Sequence, residues 1–237
     1  MSERPFFAHP ELPLPDPTLS VFINCPYDDD YEPLLDAIVF TTVCCGFQPR
    51  TADESSDTDV PRMDRILHAV FTSNYSIHDL SRCKGEGEEL LARFNMPLEL
   101  GLAVGRRFVG AAFSSRASSA AKKKTGAEAV GFDREIAELA RRHRWLVLVL
   151  EEIRYPKYIS DLAGFDLQTY DGKIGSIVQR VMAWLMTREG AVPGMSPRLV
   201  QKAFPRFMQQ KLELNNEWGR VPWRLILQAA RNCVPKL

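Results

Sequence analysis

Apolar and polar positions alternate along the chain between short β-like runs and longer helical periods. Compact apolar runs rich in Val, Ile, Leu and Phe are typical of buried strands. Such runs predict five strands, at residues 19–25, 47–52, 73–82 (ending near Asp79), 107–113 and 145–152. Residues 158–172 are interpreted as a structured loop or a short edge element.

Helical periods lie between the predicted strands. Apolar residues recur at helical spacing on Leu34, Leu35, Ile38, Val39 and Thr42, with Gly46 after the end of this helix. Further helices are predicted at residues 60–72, from Pro97 onward, and at residues 133–143 and 174–186. Strands that alternate with helices predict an α/β fold, with a parallel sheet and helices on both faces.

Composition shifts divide the chain into three parts. Residues 1–18 are Pro-rich and predict an irregular arm, and residues 19–187 hold the α/β domain. Residues 188–237 comprise a Gly- and Pro-rich linker and a small helical C-terminal tail, which either packs on its own domain or forms a dimer contact. Residues 114–131 are basic and rich in small side chains, which predicts a mobile insert.

The overall composition is that of a globular protein. The 237 residues are 45% hydrophobic and 25% charged, and no apolar run approaches the ~18 residues of a membrane span. A formal net charge of zero makes nucleic acid an improbable partner. Five scattered cysteines without zinc-site spacing, and no secretory signal, predict a cytoplasmic protein with reduced thiols and no metal.

Polar residues follow the ends of the predicted strands. Because ligands of open parallel sheets bind beyond the carboxyl ends of the strands, these residues predict one site for a small polar ligand. They are Asn24, Cys25, Pro26, Tyr27, Asp28, Arg50, His78, Asp79, Ser81, Arg82 and Glu99. No phosphate-binding glycine loop follows the first strand, which disfavours a nucleoside triphosphatase or a Rossmann dinucleotide fold.

Several of these residues also have structural interpretations. Asp28 either binds ligand or caps the following helix. For His78 a packed, hydrogen-bonded role is favoured over catalysis, and a Cys25–His78 nucleophile pair has no local signature to support it. Arg50 and Arg82 either hold phosphate or pair with the acidic loops beside them.

Glu99 has two interpretations that its local sequence does not separate. With Pro97 at the first helical position, Glu99 falls at about the third, where the helix dipole stabilises a carboxylate by roughly 0.3–1 kcal/mol. Its neighbours are largely apolar, however, and a buried charge requires a partner. Glu99 is therefore either an ordinary helix-start residue or a group that performs chemistry.

Three segments of the chain resemble the superfamily that joins TIR domains and nucleoside 2-deoxyribosyltransferase-like domains. They are FINCPYDDDYEPLLDAIVF (22–40), YSIHDLSR (75–82) and RFNMPLELGLAVG (93–105), within a correspondence over residues 19–186. The resemblance implies a flavodoxin-like sheet and an essential, ribose-contacting glutamate at Glu99. Asp79 loosely matches the upstream aspartate of the deoxyribosyltransferases.

The resemblance implies an NAD-consuming N-glycosidase. NAD is then the substrate of an NAD+ hydrolase or ADP-ribosyl cyclase, without a cofactor, in an antiviral-defence effector that acts as a homo-oligomer. Glu99, expected to be ionised at neutral pH, stabilises the oxocarbenium-like transition state. Asn24 and Asn95 are expected to hold ribose hydroxyls, and Arg50 or Arg82 the pyrophosphate. Pro26, Tyr27, Asp28 and Ser81 complete the expected substrate site.

Two alternatives remain open at the level of sequence. A nucleoside 2-deoxyribosyltransferase or nucleotide N-glycosidase uses the same glutamate, but its leaving base needs a general acid, for which Asp79 or Asp28 is the candidate. A non-catalytic nucleotide-sensing or assembly module uses Glu99 only as a helix residue.

Overall fold

The fold is built on a parallel sheet, seen in a computed structural model of the chain. The structure describes residues 12, 15–54, 59–82, 94–120, 142–151, 162, 164–219 and 221–237, with side chains up to residue 108 in the segment 94–120. The strands are β1 (Ser20–Asn24), β2 (Gln48–Arg50), β3 (Tyr75–Asp79), β4 (Arg144–Leu150) and β5 (Leu167–Tyr170). All are parallel, in the order β2-β1-β3-β4-β5, which confirms the predicted flavodoxin-like α/β arrangement.

Helices cover both faces of this sheet. They are α1 (Glu32–Cys44), α2 (Arg62–Phe71), α3 (Asn95–Ala120), α4 (Ile174–Leu185), α5 (Pro197–Trp218) and α6 (Trp223–Cys233). The last two confirm the helical C-terminal region. Among the described residues, no helix is long and apolar enough to span a membrane.

The strand predicted at residues 107–113 is wrong, because this run is part of α3. A short apolar run does not distinguish a strand from a buried helix, and α3 continues through Gly105 without a break. The predicted insert at 114–131 is likewise helical up to residue 120, and the rest of it lies outside the described residues. So do residues 133–141 of the predicted helix, whereas the segment 158–172 contributes the edge strand β5.

Alternating side chains divide the core between the two faces of the sheet. Val21 and Ile23 of β1 belong to the core cluster that includes α1, α4, α5 and α6, on what we call the α1 face. Phe22 points the other way and packs with α2 and with Ala103 of α3, on what we call the α3 face. Strand β4 alternates in the same manner, with Leu146 and Leu148 on the α1 face and Val147 and Val149 packed with residues of α3.

The C-terminal tail packs on α1 of its own domain. Phe207 of α5 stacks on Phe40 of α1, with ring centroids 5.0 Å apart. Nearby, Lys211 Nζ donates to both carboxylate oxygens of Asp36, at 2.7 Å, and to Glu32 at 2.8 Å. Burial disfavours the charge on Lys211, but the attraction of Asp36 outweighs it and raises the lysine pKa. The tail is thus joined to the α/β domain by an aromatic stack and a buried ion pair.

Candidate functional site

The candidate site lies where β1 and β3 end and α3 begins. Asn24, the last residue of β1, is 1% exposed. Its side-chain Nδ2 donates to the Met96 carbonyl of α3 at 2.9 Å and lies 2.9 Å from His78 Nδ1. Asn24 therefore ties the sheet to the first turn of the helix that carries Glu99.

A buried chain of hydrogen bonds continues behind Asn24. Because Asn24 donates to Nδ1 of His78, the proton of this ring is on Nε2, which donates to Ser76 Oγ at 2.8 Å. The Ser76 hydroxyl lies 3.0 Å from His143 Nε2, and His143 Nδ1 lies 2.9 Å from the Ser73 carbonyl oxygen and 2.8 Å from Nη1 of Arg106. Burial lowers the pKa of His78 to about 3. Both nitrogens of His78 are occupied, so it is a packed, neutral histidine.

Arg106 closes the far end of this chain. It is 1% exposed, and its Nη1 donates to the Val70 carbonyl at 2.8 Å and to the Ser73 carbonyl. Burial lowers the pKa of Arg106 to about 9, and burial together with this guanidinium lowers that of His143 well below its usual value. The sequence carries no signal for Ser76, His143 or Arg106, since they meet only through contacts across 33 to 70 residues.

Glu99 is nearly buried, at 8% exposure, and has no hydrogen-bond or ion-pair partner among the described residues. Because α3 begins at Asn95, Glu99 is the fifth helical residue rather than the third, and the first turn contains no acidic residue. The helix dipole, which acts within the first turn, therefore does not account for this carboxylate.

The ionisation of Glu99 also differs from the expectation. Burial raises the pKa of Glu99 to about 7; Arg62 opposes this rise and Asp53 adds to it. Glu99 is thus a carboxyl group that accepts and releases a proton near neutral pH.

Tyr27 after β1, Asp53 after β2 and Arg62 at the start of α2 form a polar rim near Glu99. The charges of Arg62 and Asp53 both act on the pKa of Glu99. Arg62 Nη1 lies 2.7 Å from Asp53 Oδ1, and its guanidinium lies 5.7 Å from the centre of the Tyr27 ring. Tyr27 is 40% exposed, and its hydroxyl donates to the Ile23 carbonyl at 3.3 Å. Burial, then the charges of Cys25, Asp53 and Glu99 in that order, raise the pKa of Tyr27.

Asp79, by contrast, has every carboxylate oxygen occupied. Oδ2 accepts from the hydroxyls of Tyr31, at 2.5 Å, and Tyr170, at 2.7 Å. Oδ1 accepts from the backbone N–H of Ser81 at 2.8 Å and from the Ser81 hydroxyl. Burial raises the pKa of Asp79, and these hydrogen bonds oppose the rise. Since Tyr31 and Tyr170 belong to the α1-face core, Asp79 and Glu99 lie on opposite faces of the sheet.

Both candidate phosphate-binding arginines pair with acidic loop residues. Arg50 is buried, donates from Nε to both oxygens of Glu54 at 2.7 and 2.9 Å, and donates from Nη1 to Thr72 at 2.9 Å. Arg82 Nη2 donates to Asp28 Oδ1 at 2.7 Å. This arrangement favours their structural interpretation, in which they join neighbouring loops.

The remaining candidates divide between surface and core. Asn95 is exposed at the start of α3, and Pro26 is buried after β1. Cys25 is buried on the α1 face, and burial, followed by the charge of Asp79, raises its thiol pKa. A thiol with a raised pKa is a poor nucleophile, which disfavours the Cys25–His78 pair further.

The structure therefore joins Asn24 to the helix of Glu99 and places Tyr27 nearby, whereas Asp79 and Ser81 lie on the other face of the sheet.

No protein-family model, curated protein or solved structure gives a significant match to this chain.

Proposed function

We propose that this protein cleaves the nicotinamide–ribose bond of NAD, with Glu99 as its catalytic carboxylate. The observation that carries this proposal is the burial of Glu99 without a hydrogen-bond or ion-pair partner among the described residues. Buried carboxylates are nearly always paired, because an unpaired one costs stability. A buried carboxylate that stays unpaired and has a pKa shifted towards neutrality is typical of a catalytic site.

The chemistry of NAD suits a single carboxylate. The bond between ribose C1′ and the pyridinium nitrogen breaks, its electron pair neutralises the ring, and nicotinamide leaves without needing an acid. Ionised Glu99 stabilises the positive charge that develops at C1′. Water then adds to C1′, and its proton passes to Glu99 and on to solvent. The products are nicotinamide, ADP-ribose and a proton.

A cationic substrate also explains how a carboxyl group with a pKa of about 7 becomes ionised. A pyridinium ring placed against Glu99 favours its charged form and lowers its pKa. Substrate binding therefore generates the anion that the transition state requires. Neutral nucleosides lack this effect.

Asn24 acts in this proposal as a positioning residue. It holds the Met96 carbonyl three residues before Glu99, and His78 and Ser76 fix the orientation of its amide. The buried chain thereby limits rotation of the first turn of α3. A rigid support of this kind keeps a catalytic group in its productive geometry.

The same geometry weakens the case for a deoxyribosyltransferase. That reaction needs a general acid beside the leaving base. Asp79, the first candidate, is occupied by four donors on the opposite face, and Asp28 is paired with Arg82. The NAD reaction needs no such acid.

The test is release of nicotinamide from NAD, followed by chromatography at several protein concentrations. We expect Glu99→Gln to lower the rate by about 10²- to 10³-fold, the usual effect of losing one transition-state stabiliser. Glu213→Gln, an exposed glutamate on α5, is the matched control and should retain full activity. Full activity in Glu99→Gln would contradict the proposal. So would the absence of release at every protein concentration.

A further inference from the structure

Arg106 lies on the same face of α3 as Glu99, two turns further along the helix. The two residues are seven positions apart, which corresponds to about 10 Å along a helix axis. Between them, Ala103 packs with Val70 of α2 in the core of the α3 face. Arg106 is a fully buried charge, and such a charge is rare unless several polar groups hold it. The groups that Arg106 contacts therefore show what it fixes in place.

Arg106 holds the C-terminal end of α2. The last carbonyls of a helix have no partner within that helix. In α2, the Thr72 hydroxyl donates to the His68 carbonyl at 2.6 Å. Arg106 Nη1 donates to the Val70 carbonyl at 2.8 Å and to the Ser73 carbonyl just beyond the helix. Its positive charge also faces the negative end of the α2 dipole, so Arg106 joins α3 firmly to the end of α2.

The same guanidinium reaches the buried chain of hydrogen bonds that begins at Asn24. Arg106 Nη1 lies 2.8 Å from His143 Nδ1, at one end of this chain. At the other end, Asn24 donates to the Met96 carbonyl in the first turn of α3 at 2.9 Å. Helix α3 is therefore held at two points, Met96 and Arg106, and Glu99 lies between them.

The position of α3 against α2 decides what surrounds Glu99. Both helices run from the carboxyl edge of the sheet, where α2 begins at Arg62, to the amino edge, where Arg106 joins them. A helix that is fixed at its far end cannot turn or slide freely at its near end. If α3 were released, water would reach Glu99 and the distance from Glu99 to Arg62 would change. A displacement of about 1 Å is enough to lower the rate of an enzyme by about 10²-fold.

We propose that Arg106 is a positioning residue for Glu99. It joins α3 to α2 at the far end of both helices and thereby holds the Glu99 carboxyl group in its buried position. This role rests on the proposed function, in which Glu99 is the catalytic group. A purely structural Arg106 would contribute to stability and leave the properties of Glu99 unchanged.

Titration of Glu99 by NMR in ¹³C-labelled protein tests this role without NAD. Arg106→Met keeps a long side chain and removes its donors. Glu99 should then gain water, and its pKa should fall from about 7 to about 6 or below. Arg106→Lys keeps a cation that donates, so its Glu99 pKa should lie between those of the wild type and Arg106→Met. Arg107→Met is the matched control, because Arg107 is the exposed neighbour that lies over the Trp145 ring, and it should leave the pKa of Glu99 unchanged.

Steady-state cleavage of NAD gives a second measurement. Arg106→Met should lower kcat by about 10- to 100-fold and change KM by less than about threefold, because the catalytic group is displaced and the binding surface is not. Arg106→Lys should recover part of the lost kcat, and Arg107→Met should keep both values.

A Glu99 pKa that stays at about 7 in folded Arg106→Met would overturn the proposal. Circular dichroism establishes the fold of each variant. If Arg106→Met does not fold, Ser76→Ala replaces it, since this change removes one hydroxyl from the buried chain and should also lower the pKa of Glu99. An unchanged pKa in Ser76→Ala would then overturn the proposal equally.

The positioning role and the proposed function fail separately. A lowered Glu99 pKa in Arg106→Met, together with no cleavage of NAD by the wild type, contradicts only the proposed function. Cleavage of NAD by the wild type, with kcat and the Glu99 pKa unchanged in Arg106→Met, contradicts only the positioning role.

Discussion

Two buried carboxylates, Asp79 and Glu99, lie near the same edge of the sheet on opposite faces and differ in what surrounds them. Asp79 accepts four hydrogen bonds, from two tyrosines and from both donors of Ser81. Glu99 accepts none from the described residues. Both have raised pKa values because of burial, so the shift alone does not distinguish them. The hydrogen bonds do: they indicate a structural role for Asp79, and the lack of such bonds at Glu99 among the described residues is what supports the catalytic role proposed for it.

This difference predicts effects of opposite sign on stability. A satisfied carboxylate stabilises the fold through the groups it holds in place. An unsatisfied one destabilises the fold and is retained for function. Each substitution below tests one side of this comparison.

The largest expected effect is on Asp79. In Asp79→Asn an amide donor replaces one oxygen and faces hydroxyl donors, so part of the network loses its acceptor. We expect the free energy of unfolding to fall by about 3–5 kcal/mol, as for other broken buried networks. Urea unfolding at pH 7 measures the change, with Asp64→Asn on α2 as the control. A loss below about 1 kcal/mol would show that the network contributes little.

Glu99→Gln should instead stabilise the protein, in a pH-dependent manner. Because the native pKa of Glu99 is about 7 and its usual value is 4.5, the native state binds more protons between these pH values. Stability of the wild type therefore falls as pH rises through this window. The glutamine variant does not titrate in this window. Its free energy of unfolding should therefore exceed that of the wild type by up to about 3 kcal/mol at pH 8 and differ little from it at pH 4.

Urea unfolding of both proteins at pH 4, 6 and 8 measures the Glu99 effect. A variant less stable than the wild type at pH 8 would show that Glu99 has a stabilising partner. Glu99 would then be a satisfied, stabilising carboxylate like Asp79, and the contrast drawn between the two would be wrong.

The smallest effects concern the rim around Glu99. Arg62→Gln should raise the pKa of Glu99, because the cation that opposes its protonation is lost, and Asp53→Asn should lower it. Both rim side chains are partly exposed, so both shifts should shrink at high salt. Titration of ¹³C-labelled glutamate by NMR measures the pKa values. Shifts in the same direction in both variants would contradict this account.

Much of the α/β domain could be predicted because periodicity reports burial. Strand β1 reads as a continuous apolar run since it is covered on both faces. Helices α1, α2 and α4 follow from apolar residues at helical spacing between the strands. The strand predicted at residues 107–113 was wrong because a short apolar run occurs in helices as well as in strands.

The site was less predictable, because its chemistry depends on contacts between distant residues. Topology correctly brings Asn24 close to α3, but it does not say which face of the sheet Asp79 takes. Nor does local sequence show that Arg50 is already occupied by Glu54, or that Arg106 is buried. That Glu99 has no hydrogen-bond or ion-pair partner among the residues the structure describes is likewise seen only in the folded chain.

The contact of Lys211 with Asp36 has a consequence for synthesis of the protein. The two residues are 175 positions apart, so α1 leaves the ribosome long before its cation exists. At about 5–20 residues per second, Lys211 is added on the order of ten to thirty seconds later. Until then, Asp36 lacks both its counter-ion and the helix that carries it. The α/β domain therefore gains this buried ion pair only after translation has passed α5.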